Sequence, residues 1–310
     1  MPTLKEIKGR IGSVKSTLKI TSAMKLVSSA KLRKAQLATE AMRPYEEALQ
    51  DILAAVKIPG EVEKDVWGTG KDMLGAVKGV LSGSGTSEMP ETEPVMPGSD
   101  RASKPTAIVA MASNSSLCGG FNSNIIAKVR SERHPGDVIY SVGRKMADAM
   151  RRDGFPSPED LNELVEHPAY SPAAALVEKL AHEVEEGHYD RVVLVYTHFV
   201  STARQVPVVE QLLPAVASIP NSDRAFDEDI LIEPGKKELL ESLLPKTLKL
   251  KLYAALLDSV AAEHAARTVA MQTATDNAEN LLSELTLQYN KGRQQKITAE
   301  ILDLAGGQTE

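Results

Sequence analysis

The chain has 310 residues, a formal net charge of −6, 42% apolar residues and only 4% aromatic residues. This length predicts one or two domains, and the scarcity of aromatic side chains argues against a large aromatic-packed core and suits long helices with aliphatic contact faces. The single cysteine, Cys118, excludes an internal disulfide and a zinc site built from several thiolates, and no apolar run approaches the roughly eighteen residues of a membrane span.

Residues 3–57 are predicted to form one long helix, about 80 Å in length at about 1.5 Å per residue. Its apolar stripe keeps one phase up to Leu18 and then shifts, as expected for a helix in contact with a wrapped partner. Pro44 is expected to bend or weaken the helix because it removes one backbone hydrogen bond. The stripe comprises Leu4, Ile7, Ile11, Val14 and Leu18, then Ile20, Met24 and Val27, and finally Ala41, Tyr45, Ala48 and Ile52.

The start of the chain is strongly basic, because residues 1–34 hold nine lysines or arginines against one acid, Glu6. Such a face suits nucleic acid or an anionic membrane. It lacks interleaved aromatic residues, however, so a solvated face, or one that opposes an acidic protein surface, is favoured. A mitochondrial targeting segment is disfavoured, since lysine outnumbers arginine and the helical pattern continues past residue 34.

Residues 58–104 are interpreted as an insertion rich in glycine and proline, and its part from 83 to 103 is expected to be a loose loop. From residue 105 short apolar runs alternate with helical stretches, which predicts a βαβ domain with a mainly parallel sheet over 105–235. The predicted strands are 106–112, 137–142 and 190–199, the predicted helices are 122–133, 143–152 and 172–186, and the candidate edge strands are 206–213 and 215–219.

Residues 248–305 pass without a proline, contain one glycine, Gly292, and repeat apolar or small residues at steps of three and four. This pattern predicts a helix with one contact seam, about 85 Å long and too long to be buried within its own chain. A run at 239–244 is expected to lead into it through Pro245. The seam comprises Leu250, Tyr253, Leu257, Val260, His264, Arg267, Met271, Ala274, Ala278, Leu281 and Leu285, of which His264 and Arg267 are polar.

The predicted fold class is therefore α/β, with an antiparallel coiled coil of two long terminal helices and a central Rossmann-like α/β domain. The predicted parts are a helix over 1–57, the insertion over 58–104, the α/β domain over 105–235 and a second long helix over 236–310.

The loop 114–122, called the glycine loop below, is the main candidate for chemistry, because it follows a buried strand and precedes a helix, where α/β folds bind phosphates. It lacks both the G-x-G-x-x-G spacing and a G-K-[ST] sequence, so a structural turn is favoured over a nucleotide site. For Cys118, packing is favoured over a nucleophilic role. The histidines show no metal-ligand spacing, and His182 and His188 are predicted to be solvated. No catalytic residue, cofactor or metal site is expected.

Several stretches together carry a family resemblance. The segments 10–35, 263–271, 274–278 and 289–307, and the shorter stretches 117–120, 143–145 and 209–214, resemble the gamma subunit family of F-type ATP synthases. The sequence departs from the family's usual residues at Gln308, at Asn114 and Ser115 in the glycine loop, and at Ile230. The insertion lacks the paired cysteines of the plastid members, which excludes thiol regulation of that kind.

The resemblance implies that the two long helices form the central shaft inside a hexamer of alpha and beta subunits in a proton-driven ATP synthase. The α/β domain would form a foot that stands, with an epsilon subunit, on a membrane ring of c subunits. The complex would lie at the cytoplasmic face of a bacterial inner membrane, and this chain would neither insert into the bilayer nor bind nucleic acid. Rotation of the shaft would drive each beta subunit through its nucleotide-binding states, and the chain would hold no active site of its own.

The resemblance also assigns contacts to individual residues. Arg267, Arg293 and Gln294 match positions that contact the acidic catch loop of beta, with Met24 nearby, and Glu233 matches the part of the foot that faces the ring. The double substitution Arg267→Ala and Arg293→Ala is therefore expected to impair coupling more than folding. Two other interpretations stay open: an α/β nucleotide- or RNA-binding protein with coiled-coil arms, and a coiled-coil adaptor that homodimerises through the 248–305 seam.

Overall fold

The structure is a computed structural model that describes residues 3–56, 104–214 and 235–306. The predictions for residues 58–103, for a strand at 215–219 and for Glu233 lie outside these described residues. In chain order, the elements are α1 (Leu4–Val56), β1 (Thr106–Met111), α2 (Phe121–Glu132), β2 (Val138–Val142), α3 (Arg144–Arg152), α4 (Glu163–Glu166), α5 (Tyr170–Glu185), β3 (Arg191–Ser201), β4 (Arg204–Leu213) and α6 (Lys236–Gly306).

The sheet domain, residues 104–214, contains four strands in the order β2-β1-β3-β4. The central strand β1 runs parallel to both neighbours, and its Ala107 lies opposite Val138 of β2 and Val192 of β3. β4 pairs with β3 in the antiparallel direction. The predicted α/β fold with a mainly parallel sheet is confirmed, and the single antiparallel strand lies at an edge.

β1 is buried on both faces, because helices cover both sides of the sheet. Its residues Ala107, Val109 and Met111 belong to the core that includes α5 and α6. Ile108 and Ala110 belong to the opposite core, which includes α2 and α3. The long C-terminal helix is therefore one of the layers of the sheet domain as well as an extended rod.

The helices α1 and α6 lie side by side in antiparallel orientation, and the pair is called the shaft below. Leu49, near the end of α1, packs with Leu243, near the start of α6. In the first half of α1, the hydroxyl of Thr21 lies 2.9 Å from that of Thr275, far along α6. Residue numbers therefore increase along α1 in the direction in which they decrease along α6. The predicted antiparallel pair is confirmed.

The buried stripe of α1 does not shift its phase, so this part of the prediction is wrong. Ile20 is 60% exposed and Val27 is 57% exposed, whereas their neighbours Thr21 and Ser28 are buried. A small hydroxyl residue can occupy the seam when its hydroxyl finds a partner, and the Thr21 hydroxyl meets that of Thr275. The buried positions, which follow a seven-residue repeat, are Ile7, Thr21, Ser28, Leu32, Ala35 and Leu49.

The helix α6 begins at Lys236, so Pro245 lies inside it and does not precede it. The lost hydrogen bond at this proline is offset by packing, since Leu243 is buried against α1. With 71 residues, α6 is about 105 Å long. In its outer half the seam passes through Thr275 and leaves the predicted seam residue Leu281 45% exposed. Neither α6 nor any other described helix is both long and apolar enough to cross a membrane.

The other elements of the sheet domain begin and end within two residues of their predicted bounds. The exception is α4, Glu163–Glu166, which was not predicted because four residues are too few to show a helical period. α1 also continues without interruption through Pro44. The sequence pattern was therefore most accurate for elements that are buried on a regular face.

Gly143 and Gly136 provide a matched pair of substitutions. Their φ angles are 100° and 99°, but a Cβ atom on Gly143 would lie 2.1 Å from the carbonyl oxygen of Ala112, whereas nothing lies within 4 Å of one on Gly136. We predict that Gly136→Ala lowers the free energy of unfolding by about 1–2 kcal/mol, the usual cost of a left-handed backbone. Gly143→Ala should lower it by clearly more. Urea unfolding of the full-length variants measures both, and equal losses would contradict the contact with Ala112.

Candidate functional site

The shaft meets the sheet domain where α6 packs against the glycine loop, at the end of β1. Cys118 and Phe121 form a small buried cluster with Ala262 of α6. Close to them, a Cβ atom on Gly119 would lie 3.7 Å from the Cβ of Ala270. Small residues on both sides let the loop and the helix approach closely, and we call this contact region the junction.

Hydrogen bonds within the glycine loop and its flanks hold it in a fixed turn. The backbone N–H of Ser113 donates to Asn122 Oδ1 at 3.1 Å, and the Asn122 amide lies 3.1 Å from the sulfur of Cys118. The side chain of Cys118 is itself buried. The loop thus uses its polar side chains to fix its own shape, which suits a structural turn, and the burial of Cys118 suits packing.

A buried ion pair lies at the centre of the junction. The Arg267 guanidinium is 2.7 Å from Glu263 Oε1, and the two side chains are only 8% and 7% exposed. The same guanidinium donates to the hydroxyl of Ser115 in the glycine loop at 2.8 Å and lies 3.3 Å from Nδ1 of His264. Arg267 therefore connects one turn of α6 directly to the sheet domain.

The junction shifts the pKa values of its ionisable groups. Burial raises the pKa of Glu263 above its ordinary value, and the Arg267 charge acts against this rise. The pKa of His264 is lowered to about 4, mainly by burial and in addition by the positive charges of Arg267 and of Lys31 on α1. His264 is therefore neutral at pH 7, and its Nδ1 can accept a hydrogen bond from Arg267.

A second polar contact joins α6 to the hairpin of β3 and β4. The carboxylate of Asp258 accepts the backbone N–H of Phe199 at 3.0 Å and lies 2.5 Å from Nδ1 of His198. Phe199 itself packs beside a cluster that includes Leu32 of α1 and Val260 of α6. The hairpin therefore binds α6 directly, beside a cluster to which both helices of the shaft contribute.

The structure separates the site residues that the sequence predicted. Met24 is half-buried on α1, Arg267 is buried in the junction, and Arg293 and Gln294 are exposed near the far end of α6. Between Arg267 and Arg293 there is about 39 Å of helix, at a rise of about 1.5 Å per residue. The two arginines therefore do not form one cluster, and Glu233 lies outside the described residues.

The last part of α6 extends past the start of α1. At Gly292 an added Cβ atom would lie 3.2 Å from Leu4, the first residue of α1. Beyond this point, Ile301 and Leu302 are 59% and 65% exposed. Exposed apolar side chains on a rod of this kind are typical of a surface that another protein covers.

Sequence reasoning missed the partners of Arg267. It identified Arg267 and His264 as polar members of an apolar seam, but not the reason for their presence there. The signal was available in part, since Glu263 and Arg267 have the spacing of a helical ion pair. The role of Ser115 could not be predicted, because it lies far from Arg267 in sequence and meets it only in the fold.

Comparisons with known proteins give one consistent result. The family model described as ATP synthase matches residues 3–309. The chain is 43% identical over 316 residues to the ATP synthase gamma chain of Phocaeicola vulgatus, with 99% of each chain covered. It is 37% identical over 311 residues to the ATP synthase gamma chain of Flavobacterium johnsoniae, with 99% of this chain and 98% of the relative covered.

Solved structures resemble the fold over most of its length. The rotor of the Euglena gracilis mitochondrial ATP synthase matches with a TM-score of 0.60 at 20% identity, over 95% of this chain and 98% of that one. The central stalk and c-ring structure of the Tetrahymena thermophila mitochondrial ATP synthase matches with a TM-score of 0.52 at 22% identity, over 82% of this chain and 99% of that one. At these identities the likeness establishes the fold.

We predict that Arg267→Ala lowers the free energy of unfolding by about 3–5 kcal/mol, because it leaves the Glu263 carboxylate buried without its partner. The double variant Glu263→Gln and Arg267→Ala should lose less, since no buried charge is left. Thermal and urea unfolding of the full-length chain compare the two. If the double variant were as unstable as the single one, the ion pair would not be the cause of the loss.

Proposed function

We propose that this chain is the rotary central-stalk subunit of an ATP synthase. The proposal starts from the fact that the chain belongs to the ATP synthase gamma-chain family. The observation that carries the proposal is the shaft itself, in which α1 and α6 run antiparallel from Leu49 and Leu243 to Leu4 and Gly292. This resembles the fold of ATP synthase rotors. Such a rod transmits rotation and needs no active site in this chain.

Stiffness and shape are the physical basis of the proposed role. An exposed ion pair contributes only about 0–1 kcal/mol, so ion pairs alone are too weak to transmit torque. Two helices that share a continuous seam resist bending and twisting better than one, and small seam residues such as Ala35 and Ala265 let them approach closely. Rotation of the asymmetric rod would push each beta subunit in turn through different nucleotide-binding states, and ATP would form there.

The exposed surface of the shaft is the proposed contact with the alpha and beta subunits. Arg293 and Gln294 are proposed to contact the acidic catch loop of beta near the C-terminal end of α6. Met24 is proposed to contribute from a position farther from that end of the shaft. Arg267 belongs to the same proposed set, but only a small part of its side chain is exposed. Its main contribution is therefore expected to be the stability of the junction, and the double substitution Arg267→Ala and Arg293→Ala should impair folding as well as coupling. Apolar residues that suit the same surface are Leu26, Leu37, Leu287, Ile301 and Leu302, all well exposed.

The sheet domain is the proposed foot of the stalk. It would stand with an epsilon subunit on the membrane c-ring, with Glu233 facing the ring, at the cytoplasmic face of a bacterial inner membrane. The chain would be a peripheral component of a proton-driven complex. In this proposal the parts are the shaft helices over 1–57 and 236–310, the insertion over 58–104 and the foot over 105–235.

The two other interpretations are not favoured. A nucleotide- or RNA-binding role would use the glycine loop, but its Ser115 hydroxyl and its Asn122 amide are already bonded within the protein. An adaptor that homodimerises through α6 would need an open seam, but α1 of the same chain already packs on it at Thr275 and Val260. Membership of the gamma-chain family agrees with both observations.

We predict that Arg293→Ala lowers ATP synthesis by up to about fivefold, the effect of losing an exposed charge contact of about 1 kcal/mol. The stability of the chain should not change, because this side chain is exposed. Lys291→Ala is the matched control, since residues two apart on a helix face different directions. ATP synthesis in inverted membranes and thermal unfolding are the measurements. Equal effects of the two substitutions would argue against a specific contact at Arg293.

A further inference from the structure

Two histidines and two glutamates meet on the surface of the sheet domain, at the C-terminal end of α5. They are His182, Glu183, Glu186 and His188, and they lie at the opposite end of the parallel strands from the glycine loop, just before β3 begins. The sequence predicted solvated histidines without metal-ligand spacing. Both histidine side chains are more than half exposed, in agreement with the first part of this prediction, but the fold brings them together with the carboxylates in a way that the spacing does not show.

The turn that ends α5 explains how the group forms. Gly187 has a φ angle of 79°, which lets the chain reverse after the helix. The backbone N–H of His188 then donates to the carbonyl of Glu183 at 2.9 Å, and that of Gly187 donates to Val184 at 3.0 Å. This pair of bonds is the Schellman arrangement, and it folds His188 back over Glu183. The spacing of His188 and Glu183 in the sequence does not reveal their contact, because the contact forms only when the chain reverses at the turn.

The ligand atoms are close enough to share one ion. Nδ1 of His188 lies 2.7 Å from Glu183 Oε2 and 3.5 Å from Glu186 Oε2. One ligand atom from each of these three residues lies within 4.8 Å of the others. Ligands at about 2.0–2.2 Å from a tetrahedral zinc ion are roughly 3.3–3.6 Å apart, so small rotations of exposed side chains would suffice.

We propose that this group binds a first-row divalent transition metal ion of the zinc class. Glu183, Glu186 and His188 would be the protein ligands, with water in the fourth position. His182, whose Nε2 lies 3.2 Å from the other oxygen of Glu186, would orient that carboxylate. This proposal concerns a surface apart from the shaft, so it does not depend on the proposed function.

The chemistry of the ligands decides the class of metal. An imidazole beside carboxylates suits zinc and its neighbours, whereas magnesium and calcium prefer oxygen ligands alone. Two carboxylates balance the charge of a divalent ion, and the negative end of the α5 dipole favours a cation at the same place. A metal bound at Nδ1 of His188 would replace any proton shared with Glu183, because a ligating imidazole nitrogen carries no proton, and that proton would pass to solvent.

One positive group lies close to the site. The ammonium of Lys104 is 2.9 Å from where a Cβ atom on Gly187 would lie. Lys104 is exposed, and its long side chain can move into solvent when a divalent ion arrives. In the absence of metal, the contacts of His188 with the two glutamates keep the ligand atoms together.

The test is a zinc titration of the full-length chain after a chelator has removed all bound metal. Competition with a chromogenic chelator then measures the affinity for zinc. The expected result is one bound Zn²⁺ per chain, with much weaker binding of Mg²⁺. His188→Ala and Glu186→Gln should each weaken zinc binding by about tenfold or more, and His182→Ala by about tenfold. Both His188 and Glu186 are largely exposed, so these variants should fold.

The matched control is His167→Ala, which removes another exposed histidine of the sheet domain. It should bind zinc as the unchanged chain does. The proposal is overturned if the unchanged chain shows no saturable zinc binding, or if His188→Ala binds zinc as tightly as His167→Ala. Circular dichroism of each variant separates lost metal binding from lost folding.

Discussion

A single helix, α6, must pack against two partners at once, and this constraint organises the whole molecule. Between Leu248 and Arg267 it is buried against the sheet on one side and against α1 on another. No flexible connection separates the sheet domain from the rod along this stretch. A force on the sheet domain therefore reaches the shaft through packed side chains, and the Arg267 contact with Ser115 lies at the point where the helix leaves the sheet.

The register of the shaft depends on polar residues as much as on apolar ones. Aliphatic side chains alone allow helices to slide by a turn, whereas a buried polar pair has one good alignment. Thr21 and Thr275 form such a pair across the seam, and it aligns α1 with α6. Glu263 and Arg267 both lie on α6, and Arg267 instead aligns this helix with the glycine loop through Ser115. Burial of these polar groups costs desolvation.

Much of the fold could be predicted from the sequence, because long helices and buried strands impose regular patterns. The seam of α1 could not, since Thr21 and Ser28 are polar and the exposed Ile20 and Val27 are apolar, and only the position of α6 decides between them. The candidate site was predicted only in part: Arg267 stood out as a charge in an apolar seam, but its partner Ser115 comes from a distant loop. A pattern along one element cannot show a contact that the tertiary fold creates.

The most direct test of the central claim is a disulfide between the two helices of the shaft. Thr21→Cys and Thr275→Cys replace hydroxyls that are 2.9 Å apart, which brings the two sulfur atoms within reach of a bond. In the assembled complex, the account predicts that the cross-link forms under oxidation and that ATP synthesis continues, because the helices rotate as one body. Two results would contradict a single rigid shaft. One is failure of the cross-link to form under oxidation, and the other is a loss of ATP synthesis that reduction of the disulfide reverses.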